Sequence, residues 1–229
     1  MVGRYHPIAL KIKERLGQDA SGRIMACQGR CAAGRLSRYT EAHAGWMLEK
    51  ARSGGGPMLN LGVHWIDLFR WLLADEVIEV IGKNIYGSHQ YDIEDNCFAL
   101  LTFSRGTVLA LDISYSVPES YPRGRDLYLA LRGTTGVLSW SPSFEGTKER
   151  LFVCSDAGEH SQAGGQYLEF ELPSQPGYAG VMGHRFLTEF VQSIRSGTPP
   201  AITGQDGLKA LEVVEAIYRS AECGQTIKL

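Results

Sequence analysis

The sequence predicts an α+β fold: an open, mostly antiparallel β-sheet with helices packed on one face. Short apolar or alternating stretches follow one another at intervals that suit hairpins better than crossover units. Stretches of helical spacing cluster near the start and the end of the chain, so helices and strands are segregated rather than alternating. With 44% hydrophobic and 21% charged residues, the chain can bury a sizeable core and is not a disordered composition.

The elements follow in order. Residues 8–16 have helical spacing, with Lys11, Lys13, Glu14 and Arg15 on the outer side. Residues 24–31 read as the first strand. A polar, helix-like segment, 41–52, then runs into Gly54, Gly55 and Gly56. Residues 57–73 read as a helix opened by Pro57, whose missing N–H would be an orphan in a first turn anyway. Met58, Leu59, Leu61, Val63, Ile66, Leu68, Phe69, Leu72 and Leu73 make this helix apolar nearly all round, so it is expected to be buried. Gly62 inside the same turns costs about 1 kcal/mol relative to Ala, which suggests close backbone approach by another element. Strands are expected at 77–86, 95–103, 107–117, 125–132, 136–140, 151–154 and 167–172. Ser104-Arg105-Gly106, Gly133-Thr134-Thr135-Gly136 and Pro142 are the turn signals between them. The Gly/Ser/Gln-rich stretch 156–165 reads as a surface loop. Helices at 183–196 and 204–223 close the chain, with Gly197 placed as a C-cap.

Asn60, His64 and Asp67 are spaced four and three apart, which puts all three on one helix face. Buried polar groups must be satisfied or used. The residues alone leave two readings open. One is a core network with His64 bonded to Asp67 and Asn60 bonded to backbone; the other is a functional site.

Several function classes are disfavoured. The formal charge is −2 and no basic patch stands out, so an electrostatic case for nucleic acid is absent. There is no signal-peptide apolar region and no apolar run of membrane-spanning length. Five cysteines without close pairing suggest reduced thiols and a cytoplasmic setting. Cys27 and Cys31 share a strand but have no histidine nearby and no second pair, so no metal site is expected. Strands carry apolar residues on both parities: Leu109 and Leu111 interleave with Ala110, and Leu127, Leu129 and Leu131 with Tyr128. Such a sheet left open would be a liability, so a homodimer or tetramer formed through it is expected.

Gly54 to Asp67 spell GGG-x3-N-x-G-x-H-x2-D, followed by an apolar run with Trp71. This resembles the central motif of the glucose–fructose oxidoreductase / inositol dehydrogenase (Gfo/Idh/MocA) family of NAD(P)-dependent sugar oxidoreductases. The resemblance runs from Arg4-Tyr5-His6-Pro7 through Trp46, Glu94-Asp95, Phe103 to Gly106, Gly133 and Gly136. It ends in Phe190, Ile194, Gly197, Pro200, Asp206, Gly207, Ala210, Ser220 and Gly224. Each piece is short; their shared order is what carries the likeness.

The resemblance implies a dihydrodipicolinate-reductase-like C-terminal domain that binds and converts a sugar, polyol or sugar derivative. Residues 1–20 would then be a helix and linker from the end of a nucleotide-binding domain, and 21–229 a substrate-binding and oligomerisation domain. By position in the motif, His64 is the acid/base residue, suited by its unperturbed pKa of about 6.5. Asn60 stands where the family usually has Asp; an amide accepts no proton at neutral pH but still bonds. Substrate contacts are implied for Tyr5 and His6 and, in the loop before the motif, for Arg35, Arg38, His43 and Trp46. Asp67 is implied as a substrate contact and read mainly as an orienting or structural partner of the helix. The different-class alternative is a non-catalytic, carbohydrate-sensing or scaffold relative that keeps the substrate domain and its dimer sheet.

Neither G-x-G-x-x-G nor Glu-Lys-Pro occurs in the chain. Gly54 to Gly56 follow a polar segment rather than a β-branched strand, which fails the context a dinucleotide site requires. NAD or NADP would therefore be held only by a cofactor domain that this chain does not contain. The 229-residue chain alone is expected to bind no dinucleotide. Titration of NADH, followed by nicotinamide fluorescence, checks this; specific micromolar binding would contradict it.

Overall fold

The computed structural model describes residues 1–229 except 35, 36, 42, 88–90, 119, 122, 123, 142–147, 159, 160, 162, 163 and 173. Arg35, Pro142 and part of the loop expected at 156–165 lie outside the described residues. A 3₁₀ turn (Val2–Tyr5) leads into helix α1 (Pro7–Gly17), whose N-cap is His6. Strand β1 (Ile24–Ala33) follows. The segment expected to be helix-like at 41–52 is broken into α2 (Ser37–Glu41), a 3₁₀ turn (Gly45–Leu48) and the single turn α3 (Lys50–Ser53). The motif helix is a π-helical turn (Met58–Gly62) running straight into α4 (Val63–Leu73).

Strands β2 (Val77–Ile85), β3 (Asn96–Phe103), β4 (Val108–Ser114), β5 (Arg125–Gly133), β6 (Gly136–Ser141), β7 (Lys148–Ser155) and β8 (Gln166–Glu171) follow. Helices α5 (Gly180–Ser196) and α6 (Gly204–Cys223) and the two-residue strand β9 (Ile227–Lys228) close the chain.

The strands form one sheet in the order β8-β7-β6-β5-β1-β4-β3-β2-β9. Every neighbouring pair is antiparallel except β1 and β4. That exception has a topological cause. After β1 the chain leaves the sheet through the helical segment ending at Leu73, and returns as a meander whose third strand lies beside β1. The α+β class with an open, mostly antiparallel sheet is the architecture expected from the sequence. The helices bury its inner face: Ile66 and Phe69 of α4, Ile12 of α1 and Ile217 of α6 are all fully buried, as are Leu101, Leu109, Ile113 and Leu131 of the sheet.

A buried carboxylate anchors the start of the motif helix. Glu94, 2% exposed, accepts from the Gly56 N–H at 2.9 Å through Oε2 and from the Met58 N–H at 3.2 Å through Oε1. The Tyr218 hydroxyl of α6 donates to Oε1 at 2.7 Å and accepts from the Leu59 N–H at 3.1 Å. These bonds satisfy the orphan N–H groups of the first helical turn, where negative charge is also favoured by the helix dipole. The glycines make room for them. A Cβ on Gly55 would lie 2.3 Å from the Tyr218 hydroxyl, and one on Gly56 would lie 2.3 Å from the Glu94 carbonyl oxygen. The close approach at Gly62 is different from the one expected, since the nearest atom is the Met58 sulfur, 2.3 Å from a Cβ there, and not another backbone.

The outer face of the sheet carries Ile81, Phe98, Leu100 and Val108, each between 39% and 48% exposed. Leu100 lies opposite Ile81 on one side and Ala110 on the other, which joins these side chains into one apolar area across β2, β3 and β4.

Two expectations come from this architecture. Sedimentation at low micromolar concentration should show a dimer or larger assembly, and Leu100→Glu should shift it toward monomer, because wet apolar area costs roughly 25 cal/mol per Å². A wild-type monomer at that concentration would show that the face stays uncovered. Glu94→Ala should lower stability by about 1–3 kcal/mol by orphaning the buried Gly56 and Met58 N–H groups. Chemical denaturation measures it, and an unchanged midpoint would show that water replaces the carboxylate.

Candidate active site

The glycine run ends at a protein carboxylate and a tyrosine, so it does not fit a dinucleotide phosphate: the N–H groups that would cradle one already bond Glu94. The turn beyond it points Asn60 into a second small cluster. The Asn60 side-chain amide donates to the Tyr39 and Tyr115 hydroxyls, each at 2.8 Å. The Arg38 guanidinium lies 4.6 Å over the Tyr39 ring and donates to its hydroxyl at 2.5 Å. Burial, reinforced by the bond to Tyr39, pushes the Tyr115 hydroxyl pKa well above the ordinary tyrosine range, so it stays protonated. The amide thus bonds side chains, not the backbone partners of the core-network reading.

One turn further on, His64 faces a different space. A pocket of about 330 Å³ is walled by β1, β5, β6 and β7 on one side and by α1, α4 and the start of α5 on the other. His64, Trp65, His6, Trp140, Glu149 and Arg125 are among its lining. Burial lowers the pKa of His64 below its usual 6.5, and its Nδ1 is buried without a hydrogen-bond partner among the described residues. The imidazole is therefore neutral at pH 7 and has acceptor capacity in hand.

Across the pocket, Glu149 is 2% exposed. Its Oε2 accepts from the Trp140 indole N–H at 2.8 Å and lies 3.5 Å from His6 Nε2. His6 Nδ1 accepts from the Ile8 N–H at 3.2 Å, which leaves Nε2 as the nitrogen that faces the carboxylate as a donor. Burial pushes the Glu149 carboxyl up, but the His6 and Trp140 bonds and the Arg125 charge outweigh it and hold the group below the usual carboxylate range. Trp65 and Trp140 stack at 6.4 Å with 14° between their planes, and His6 lies 5.0 Å from Trp140.

Asp67 does not join His64. It is fully buried and bonded by Arg4, through Nε to Oδ2 at 3.0 Å and through Nη2 to Oδ1 at 2.5 Å. Arg4 also reaches Asp206 at 2.9 Å, and Asp206 closes the capping box of α6 with Thr203. The substrate contact implied for Asp67 is corrected by its burial: a fully buried carboxylate paired with a bidentate guanidinium ties the N-terminal turn to α4 and α6. Tyr5 packs its ring on Phe186 of α5 at 6.2 Å, and burial together with Glu189 raises its hydroxyl pKa. His43 and Trp46 are exposed in the segment between α2 and α3, and neither they nor Arg38 line the pocket.

Of the residues singled out by sequence, then, His64 and His6 meet in one pocket, while Asn60 and Arg38 meet in another cluster. Trp140 and Glu149 were not singled out. Glu149 did carry a signal: it shares inward parity with Leu151 and Val153, so a charged residue sits on the apolar side of a strand. Among the described residues no group of His, Cys, Asp and Glu side chains is placed to hold a metal ion, and no helix is long and apolar enough to cross a membrane. The five cysteines are free.

The sequence profile described as the C-terminal alpha/beta domain of the oxidoreductase family Gfo/Idh/MocA matches residues 13–229. Myo-inositol 2-dehydrogenase of Thermotoga maritima is 28% identical over 189 residues, covering 80% of this chain and 52% of that protein. The 1,5-anhydro-D-fructose reductase of Ensifer adhaerens is 24% identical over 235 residues, covering 100% of this chain and 64% of that protein. A levoglucosan dehydrogenase solved with NADH and levoglucosan superimposes with a TM-score of 0.80 at 18% identity, covering 100% of this chain and 65% of that one. The chain thus spans between about half and two thirds of the length of these relatives. With the profile match extending over nearly its whole length, the chain belongs to the Gfo/Idh/MocA oxidoreductase family, as its C-terminal α/β domain.

Proposed function

We propose that this chain is the substrate-binding and catalytic side of an NAD(P)-dependent oxidoreductase acting on a sugar or polyol. Residues 21–229 form the substrate and oligomerisation domain in this reading, and 1–20 connect it to a nucleotide-binding domain. The carrying observation is His64: a neutral imidazole with an unpartnered ring nitrogen, in a pocket of small-molecule size. The names of its relatives, an inositol dehydrogenase and an anhydrofructose reductase among them, support the substrate class.

Oxidising an alcohol removes a hydride and a hydroxyl proton together. The nicotinamide, held outside this chain, supplies the hydride chemistry. What this chain supplies is the proton acceptor, His64, positioned by a helix whose start is locked by Glu94. Asn60 acts by positioning, through Tyr39 and Tyr115, and does not itself carry the proton. One observation favours a second reading, a carbohydrate-binding relative without catalysis: no carboxylate of the described residues bonds His64, since Asp67 is held by Arg4.

The two readings separate in one experiment. With a nucleotide-binding domain supplied in cis or in trans, His64→Ala should lower turnover by roughly 10²- to 10⁴-fold, the usual weight of general acid–base catalysis. Substrate affinity and melting temperature should change less. Wild-type oxidation should fall as pH drops through the His64 pKa, which lies below about 6.5, because the protonated ring accepts nothing. The sign for stability agrees. The unfolded histidine binds its proton first on acidification, so stability declines from about pH 6.5 downward until the folded ring is also protonated. Turnover unchanged per folded molecule in His64→Ala would sink the catalytic assignment.

A further inference from the structure

The pocket that holds His64 has a second pole. It is made by Glu149, Trp140 and His6, which come from β7, β6 and the N-cap of α1. A carboxylate that is 2% exposed, lowered in pKa and bonded by an indole and an imidazole is a group the fold has gone out of its way to keep ionised. Both donors converge on Oε2, so Oε1 retains acceptor capacity among the described residues. Much of the remaining wall is apolar: Trp65, Trp140, Leu127 and Leu129 line it.

We infer that the Glu149–Trp140–His6 cluster is a hydroxyl-binding subsite that selects a single uncharged sugar or cyclic polyol ring, and rejects sugar nucleotides. This rests on the reading of His64 as the acid/base residue at the other end of the same pocket. Three features decide it. The first is size. At about 330 Å³ the pocket lies at the small end of the range of roughly 300–1,000 Å³ for small-molecule sites, which suits one ring. The second is charge. Arg125 and Glu149 both line the pocket, one cation against one anion, and the Glu149 carboxylate repels a diphosphate. The third is chemistry. A sugar ring presents apolar C–H faces with hydroxyls around its rim. Aromatic and aliphatic walls interrupted by a carboxylate acceptor, an arginine donor and two imidazoles match that distribution. The Oε1 of Glu149 is the acceptor left for a ring hydroxyl.

The test uses the whole 229-residue chain, isotope-labelled, without any cofactor domain. Its four tryptophans give four indole N–H resonances, and Trp140→Phe identifies the one bonded to Glu149. Titration with myo-inositol and with D-xylose should shift that resonance saturably, and UDP-glucose over the same range should not. Glu149→Gln keeps the shape and removes the charge, and should weaken neutral-sugar binding about tenfold or more. UDP-glucose shifting the Trp140 resonance at lower concentration than the neutral sugars would overturn the inference. So would an indole that no neutral sugar moves. Failure here is distinguishable from failure of the catalytic reading. Neutral sugars that bind through Glu149, with turnover indifferent to His64, would remove the acid/base role and keep the subsite. His64-dependent turnover with UDP-glucose preferred would remove the subsite and keep the acid/base role.

Discussion

The bond that the site depends on is the one between the Glu94 carboxylate and the N–H groups of Gly56 and Met58. A helix start buried in a core has orphan donors that water cannot reach, and leaving even one unpaired costs on the order of 1–3 kcal/mol. Here a single carboxyl side chain takes two of them and a tyrosine takes a third. The solution constrains everything around it. Glu94 and Tyr218 come so close that residues 55 and 56 admit no side chain, which is why a glycine run precedes the motif. Tyr218 belongs to α6, so the last long helix is tied to the first turn of the motif helix, and β3 follows directly from the residue that does the tying. With the start of the helix fixed, the azimuth of every later residue is fixed as well. Asn60 then falls to the tyrosine cluster, His64 to the pocket and Asp67 to Arg4.

That azimuth is where reading by period was weakest. Spacings of four and three place Asn60, His64 and Asp67 on one face of a regular helix, but Met58–Gly62 is a π turn with more residues per revolution. The three side chains fan out to different partners, and a stripe that looks like one site in the sequence is three separate surroundings. The wider architecture was legible because it rests on period and punctuation, which are local. The strand at 95–103 and the helix at 204–223 are found within a residue of where their alternation and caps put them. Partner choice is not local. That Arg4 takes Asp67, 63 positions away, or that His6 faces Glu149, follows from which strands neighbour which, and the parallel insertion of β4 beside β1 is invisible in any window of sequence.

The two buried carboxylates nearest the site are held in opposite ways, and the difference separates structure from chemistry. Asp67 is closed off: both its oxygens bond Arg4 and it has no exposure, and such a pair is expensive to break while contributing modestly in net terms. Its use is to register the N-terminal turn against α4 and, through Asp206, against α6. Glu149 is held by an indole and an imidazole on one oxygen, with Arg125 also in the lining, so it remains an anion that can still take part in binding. His64 resembles Glu149 in this respect, a polar group kept in an apolar wall with a nitrogen unspent.

Such incompleteness has a cost that the fold must offset elsewhere, since a buried unpaired nitrogen and a desolvated carboxylate both oppose folding. The offset is visible in the packing around them. Ile66 and Phe69, flanking Asp67 on α4, are fully buried against the sheet, and Trp65 next to His64 stacks on Trp140. One helix therefore spends its apolar surface on fixing its position and leaves its one titratable, unpartnered side chain facing the pocket. A rigid backbone carrying an unsatisfied base is the arrangement expected where a ligand hydroxyl completes the hydrogen bonds, because only then does the bound state recover what the empty one forgoes.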